Sequence, residues 1–151
     1  MKILVDTTPV VAAANKRDAA HEMAQTAMRK LRRNAVIPSP VLVEADHLIR
    51  DRAGSAAARN FLRAVADGTH EVAYMTARVL ERAVELDAKY ADLNLGFADA
   101  AVMAIAERRR MPILTFDFTD FRATESAEGP WRLAIDENIL QRELDRQRAN
   151  N

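Results

Sequence analysis

The stretch ILTFDFTDF, residues Ile113–Phe121, begins with the apolar residues of a buried strand and ends with two carboxylates, Asp117 and Asp120. Because strand side chains alternate between the two faces, Thr115 and Asp117 share one face while Phe116 points to the core. The stretch therefore predicts a strand that presents Asp117 at its carboxyl end. Asp120 lies beyond the strand and is interpreted as a turn or cap residue, with a supporting position around the site as the alternative.

Similar short apolar runs recur along the chain, and segments with helical spacing separate them. Short apolar runs between helical segments are typical of buried parallel strands. The alternation predicts an α/β domain whose central, mainly parallel sheet has four to five strands flanked by helices. The predicted domain spans residues 1–135, and residues 136–151 form a polar C-terminal helix or tail. The predicted strands are KILV at 2–5, AVIP at 35–38, EVAYM at 71–75, the strand at 112–115 and a possible fifth, WRLAI, at 131–135.

The composition excludes several classes of function. The chain has 151 residues, of which 49% are hydrophobic, so one folded domain is expected. It has no cysteine, which excludes disulfides, thiolate zinc sites and cysteine nucleophiles. Its 22 basic and 22 acidic side chains balance, so an anionic partner must be held by local basic patches or through metal ions. With no apolar run long enough for a membrane span, we expect a soluble cytoplasmic protein.

Four acidic residues are predicted to meet at one edge of the sheet. Asp6 and Asp117 directly follow strands, whereas Glu44 lies on the helix after the second strand and Asp99 opens the helix after Gly96. In open α/β sheets, active sites form at the carboxyl ends of the strands. Singly, each acid has a structural explanation, as a helix cap, a solvated helix residue or a partner of a helix dipole.

Together, these carboxylates would repel one another, and no Lys or Arg lies within three positions of Asp6, Asp99 or Asp117. A divalent cation would resolve the repulsion, and Mg²⁺ and Mn²⁺ prefer carboxylate oxygens and water. Such a cluster suits phosphodiester hydrolysis, in which metal ions activate a water and offset charge on the phosphate.

Three blocks of sequence resemble a PIN-domain protein, and more narrowly the ribonuclease toxins of VapBC-type toxin–antitoxin modules. They are ILVDTTPVVAAAN, PSPVLVEADHLI and LGFADAAVMAIAERRRMPILTFDFTDF, and the resemblance extends from Met1 to about Ile135. It implies a three-layer fold, one or two Mg²⁺ or Mn²⁺ ions, an RNA substrate, a neutralising antitoxin and commonly a homodimer. The positions that match the family's site are Asp6, Glu44, Asp99 and Asp117 as the four acids, with Thr7 or Thr8 and Thr115 as supporting hydroxyls.

Two basic clusters are candidates for contact with RNA. Arg29, Lys30, Arg32 and Arg33 fall within five positions, and a second cluster is Arg108–Arg110. Cations are favoured at helix C-termini by the helix dipole, which is a sufficient structural reason for both clusters. The functional prediction is that the first cluster binds RNA phosphates beside the acidic centre. The three histidines, His21, His47 and His70, do not lie at helical spacing from one another, so we expect no zinc site.

Other functions remain open at this point. A haloacid-dehalogenase-type phosphotransferase is disfavoured, because it needs a second Asp two residues after the first, where Thr8 stands, and a Lys near the last strand that cannot be placed. A PIN-domain RNA-processing nuclease outside a toxin–antitoxin system would have the same residues. A non-catalytic PIN-like module would retain the fold and serve as a binding partner. If a protein partner binds, the apolar faces of the helices within Pro40–Ala66 are the candidate surface.

Overall fold

The computed structural model describes all 151 residues as alternating strands and helices, with short 3₁₀ turns at Arg32–Asn34 and Ala91–Leu93. The strands are β1 (Ile3–Val5), β2 (Ala35–Pro38), β3 (Glu71–Ala73) and β4 (Ile113–Leu114). The helices are α1 (Thr7–Ala14), α2 (His21–Leu31), α3 (Ser39–Ala53), α4 (Ser55–Ala66), α5 (Ala77–Lys89), α6 (Phe97–Arg109), α7 (Phe118–Ala123) and α8 (Glu137–Ala149).

The sheet has four strands in the order β3-β2-β1-β4, and all of its neighbours are parallel. The predicted fifth strand, at 131–135, is present only as a single parallel bridge between Ile113 and Leu133. Its hydrogen bonds run from the Ile113 N–H to the Arg132 carbonyl (2.8 Å) and from the Ala134 N–H to the Ile113 carbonyl (2.7 Å). The prediction of an α/β domain with a parallel sheet flanked by helices is confirmed.

Helix α6 occupies the centre of the structure. Its residues Ala100–Ala106 are all buried, and four of those seven are alanines, which allow neighbouring elements to approach closely. It packs against α3, α5, β1 and β2. Because burial holds this helix from all sides, the position of its first turn, which carries Asp99, is set by the core.

The C-terminal segment is a packed helix rather than a free tail. Asp136 caps α8 by accepting a hydrogen bond from the Asn138 N–H (2.6 Å). Leu140 is only 7% exposed and joins a small apolar cluster that also contains Ala12, Ala20, Ala24 and Phe118. Since Ala12 belongs to α1 and Phe118 to α7, α8 braces the two short helices that follow the acid-bearing strands β1 and β4. No helix of the structure is both long enough and apolar enough to cross a membrane.

Candidate active site

The carboxyl end of β1 places Asp6 in the interior. Asp6 occupies the N-cap position of α1, yet its side chain makes no capping hydrogen bond, so the cap explanation does not hold. Its side chain is 3% exposed. Oδ2 accepts a hydrogen bond of 2.8 Å from the Thr115 hydroxyl, whereas the buried Oδ1 has no partner. Burial raises the pKa of Asp6 to about 6, although the hydrogen bond from Thr115 opposes this shift.

A pair of threonine hydroxyls ties the end of β4 to the start of α1. Thr8 Oγ1 accepts a hydrogen bond from the Phe116 N–H (2.9 Å) and lies 3.5 Å from Thr115 Oγ1. The Thr115 hydroxyl also accepts from the Asp117 N–H (3.1 Å) while it donates to Asp6. Thr115 therefore joins the Asp6 side chain to the backbone of Asp117. Because β4 ends at Leu114, both Thr115 and Asp117 lie beyond the strand, and the predicted alternation does not extend to them.

The structure separates the two threonines after Asp6, which the sequence leaves as alternatives. The Thr7 hydroxyl is buried and has no hydrogen-bond partner. Thr8 supplies the hydroxyl that contacts the β4 side of the site. The sequence does not distinguish Thr8 from Thr7 as the supporting hydroxyl, because two adjacent threonines at the start of a helix look alike.

Asp99 reaches the same site from the first turn of α6. Gly96, with φ of +85°, is the N-cap residue, and its left-handed backbone region strongly favours glycine. Burial raises the pKa of the Asp99 carboxyl to about 7. The charges of neighbouring acids add to that shift, in decreasing order Asp6, Asp120, Glu44 and Asp117. The predicted four acids therefore lie close enough for their charges to interact.

Glu44 and Asp117 are exposed and form the outer part of the acidic group. Their negative charges each raise the pKa of Asp6, after the larger effect of burial. Glu44 also lines a cavity of about 360 Å³ with Thr8, Arg52 and Phe116. This cavity extends from Glu44 to Leu140 and Leu144 on α8.

Asp120 is a further member of the group. The N-cap position of α7 belongs to Asp117, and Asp120 lies in the first turn, so its interpretation as a cap is wrong. Burial, and then the charge of Asp117, raise the pKa of Asp120. The charge of Asp120 acts in turn on Asp99. The spacing of Asp117 and Asp120 by about one helical turn was the sequence signal that could have grouped them. The grouping depends on α7 beginning directly after Asp117, which the structure shows.

The donor set fits a hard divalent cation. None of Asp6, Glu44, Asp99, Asp117 and Asp120 takes part in an ion pair. A buried carboxylate oxygen without a partner, among unneutralised carboxylates, is a site that Mg²⁺ or Mn²⁺ would satisfy. No three His, Asp or Glu side chains are already grouped closely enough to hold an ion. Metal binding would therefore draw the outer acids inward.

The basic cluster at residues 29–33 is not beside the acids, so the predicted location of Arg29, Lys30, Arg32 and Arg33 is wrong, whereas their contact with RNA stays a prediction. Arg32 and Arg33 lie in the 3₁₀ turn just before β2 begins, and Arg29 and Lys30 lie in the last turn of α2. Since β1 and β2 are parallel, the start of β2 and the end of β1 lie at opposite edges of the sheet. The sequence shows that the cluster lies next to β2. It lies at the start of that strand, however, and Asp6 lies at the opposite edge of the sheet.

The comparisons with known proteins agree with this geometry. Residues 3–126 match the PIN domain family. The chain is 38% identical over 98 residues to ribonuclease VapC26 of Mycobacterium tuberculosis, which covers 64% of this chain and 73% of that relative.

Two solved structures share the fold at lower identity. The crystal structure of VapC20 of M. tuberculosis, a sarcin-ricin loop cleaving toxin, has a TM-score of 0.73 at 24% identity, covering 81% of this chain and 95% of that one. A toxin–antitoxin complex from Klebsiella pneumoniae has a TM-score of 0.59 at 21% identity, covering 80% and 90%. With the acids of β1, α3, α6 and β4 at one edge of the sheet, the chain belongs to the PIN domain family and is homologous to the VapC ribonuclease toxins.

Proposed function

We propose that this protein is a Mg²⁺- or Mn²⁺-dependent endoribonuclease that hydrolyses RNA phosphodiester bonds. The observation that carries the proposal is the state of Asp6, a buried carboxylate with one oxygen held by Thr115 and the other without a partner. A buried acid in this state is costly to the fold unless a cation or a proton binds it. The proposed metal ion supplies that compensation.

The residues have distinct roles in this proposal. Asp6 and Asp99, with the outer acids Glu44 and Asp117, would hold the metal, which when bound activates a water and offsets charge on the phosphate. The Thr115 hydroxyl holds Asp6 Oδ2, so that Oδ1 is the oxygen left for a ligand. Thr8 holds the Phe116 backbone and thereby the turn that carries Asp117. Asp120 adds negative charge behind Asp99.

The activity is tested by mixing the purified protein with a structured RNA in Mg²⁺ and then in EDTA. Cleavage is expected in Mg²⁺ or Mn²⁺ and not in EDTA, and Asp6→Asn or Asp99→Asn should lower it at least about 100-fold, the range seen when one strong electrostatic group is removed. Asp87→Asn is a matched control, because Asp87 is an exposed acid on α5. Cleavage that persists in EDTA or in both site variants would exclude the mechanism.

We further propose that the protein is the toxin of a toxin–antitoxin pair and acts in the cytoplasm, where its RNA substrates are. The homology to VapC ribonucleases and the likeness of fold to a toxin–antitoxin complex support this. Expression should arrest growth, and co-expression of a small protein encoded beside the gene should restore it. Normal growth on expression of an active enzyme would favour an RNA-processing nuclease.

The proposed antitoxin has a candidate docking surface. A groove of about 360 Å³ between α1, α2 and α4 is lined mainly by apolar side chains, including Val10, Met28, Phe61 and Ala64. Only its α4 side falls within the helices of Pro40–Ala66 that the sequence singled out. We expect Phe61→Asp to abolish rescue by the antitoxin without abolishing cleavage. The homodimer that the family resemblance implies is tested by light scattering of the purified chain.

A further inference from the structure

The amino-terminal edge of the sheet carries a group of exposed cations that the proposed catalytic chemistry does not use. Since the sheet is parallel, the residues that precede its strands gather at the edge opposite Asp6. Lys2 precedes β1, Arg33 lies two residues before β2, and Arg132 is paired beside the start of β4. We call this surface the amino-edge patch; it consists of Lys2, Arg32, Arg33, Arg109, Arg110 and Arg132, all of which are exposed.

Two neighbouring depressions give the patch its shape. Lys2, Arg109, Arg110 and Arg132 line one of about 430 Å³. Arg32 and Arg33 line another of about 520 Å³, together with Lys30. Both lie near the start of β3, the first through Glu71, which begins the strand, and the second through residues 67–69, which lead into it. The patch is therefore one basic surface with two hollows.

The acids at this edge do not neutralise it. Glu71 is shared between Lys2 and Arg109, and Glu128 pairs with Arg110. Asp67, the remaining acid lining the hollows, accepts hydrogen bonds from Thr69. Arg32, Arg33 and Arg132 form no ion pair. Positive charge is thus in excess, and three guanidinium groups have no acidic partner.

Helix dipoles explain only part of the pattern. Arg32 and Arg33 follow the C-terminus of α2, and Arg109 and Arg110 end α6, where cations are favoured. The Arg132 side chain also reaches this helix end, since it donates a hydrogen bond to the carbonyl of Arg110, the C-cap residue of α6. Lys2 is not at a helix end. Cations are in excess at this edge, whereas the five acids of the candidate active site lie at the opposite edge. The protein is electrostatically polarised along β1.

We propose that the amino-edge patch binds the phosphodiester backbone of the RNA on which the acidic site acts, away from the bond that is cut. The inference rests on the proposed ribonuclease activity. RNA affinity comes largely from cations near phosphates, and the acidic edge repels phosphates. Lys2 and Asp6 are four residues apart, so the edges are separated by about 13 Å along β1. A folded RNA can contact both edges, whereas an oligonucleotide of a few residues at the acidic site cannot.

The test compares a long structured RNA with a short oligonucleotide that contains the same cut site. The patch variant is R32Q/R33Q/R132Q, which removes the three cations without an acidic partner. The control is R59Q/R63Q/R78Q, which removes the same charge from exposed arginines on α4 and α5 that form no ion pair. Both variants have the same net charge, so any difference between them is local.

For the patch variant, we expect kcat/KM on the long RNA to fall at least about tenfold, mainly through KM, with the short substrate unchanged. The slope of log affinity against log salt should decrease by about 2, since roughly 0.7–0.9 of a counterion is released per phosphate contact. The control should change neither quantity. An unchanged long-RNA KM, or an equal loss in patch variant and control, would overturn the proposal.

Binding of the labelled long RNA in EDTA separates this inference from the proposed activity. If the wild-type protein cleaves neither RNA but the patch variant alone loses binding, the ribonuclease proposal fails and the RNA-binding surface stands. If cleavage occurs but RNA binding and KM do not depend on the patch, the surface fails and the ribonuclease proposal stands. An equal loss of binding by both variants would show that only total charge matters, and would reject the patch.

Discussion

The burial of Asp6 makes a quantitative prediction about the stability of the metal-free protein. The ordinary pKa of this carboxyl is 3.8, and burial raises it to about 6 in the folded state. The folded protein therefore holds the Asp6 proton more tightly than the unfolded chain, so its stability falls as the pH rises from about 4 to 6. At 1.36 kcal/mol per pH unit, the ionised Asp6 costs the fold about 3 kcal/mol at pH 8 and about 1 kcal/mol at pH 4.5.

The variant Asp6→Asn cannot ionise and so escapes this cost. Its new amide group adds an offset of its own, but that offset is the same at both pH values. The free energy of unfolding of Asp6→Asn relative to wild type should therefore rise by about 2 kcal/mol between pH 4.5 and pH 8. For a chain of this length the same change corresponds to about 4–8 °C in Tm. Asp87→Asn, on the exposed surface, should show no such rise.

The assay is urea unfolding followed by far-ultraviolet circular dichroism, in EDTA, at a series of pH values. Saturating Mg²⁺ should shrink the advantage of Asp6→Asn at pH 8, because a bound cation offsets the charge of the wild-type carboxylate. If the difference in free energy of unfolding between Asp6→Asn and wild type does not change with pH, the reasoning is refuted. That result would show that ionisation of the buried carboxylate does not destabilise the fold. An advantage at pH 8 that Mg²⁺ leaves unchanged would show that the cation does not reach Asp6.

Three further variants test the site and its support. Thr115→Val removes the hydroxyl that contacts Asp6 and the backbone of Asp117, and it should lower kcat about tenfold, the effect of losing one hydrogen bond. Thr115→Ser keeps the hydroxyl and should keep the wild-type kcat. Equal losses of kcat in the two variants would mean that the methyl group matters rather than the hydroxyl. Asp120→Asn should lower the pKa of Asp99 in a carbon-13 NMR titration, because the charge of Asp120 helps to raise that pKa, and it should impair cleavage less than Asp117→Asn; a pKa of Asp99 that does not move would remove Asp120 from the group. Leu140→Ala should cost about 2–4 kcal/mol in urea unfolding, because Leu140 is 7% exposed in the cluster that braces α1 and α7; a loss below about 0.5 kcal/mol would show that α8 is not anchored there.

Local sequence was sufficient for much of the fold. The short apolar runs at β1, β2 and β4 need no partner to be identified, because burial on both faces of a parallel strand leaves a recognisable apolar run. The run at 131–135 is also mostly apolar, although it contains Arg132, and only Leu133 pairs with β4. An apolar run forms a strand only where a neighbouring strand has free backbone N–H and C=O groups to pair with it. Because β4 is only two residues long, it offers few such groups to residues 131–135.

The C-terminal helix shows a second limit. Its polar composition hides Leu140, whose burial depends on Ala12, Ala20, Ala24 and Phe118 from three other parts of the chain. A single apolar side chain on a polar helix predicts nothing by itself, since its energy comes from what it contacts. The helix was therefore predicted without its packing partners.

The sequence by itself determined the strand–acid order, and with it the parallel sheet and the edge at which Asp6, Asp99 and Asp117 meet. This follows from local rules, because the carboxyl ends of parallel strands all lie at the same edge of the sheet, and residues that directly follow the strands lie there too. Only the tertiary structure decided the chemical state of each group: Asp6 with one unpartnered oxygen, Thr8 rather than Thr7 as the contacting hydroxyl, and Asp120 within the group. The tertiary structure also shows that the basic cluster at residues 29–33 lies at the edge of the sheet opposite Asp6. Burial, hydrogen bonding and charge interaction depend on distances between side chains far apart in the chain, and those distances exist only once the chain has folded.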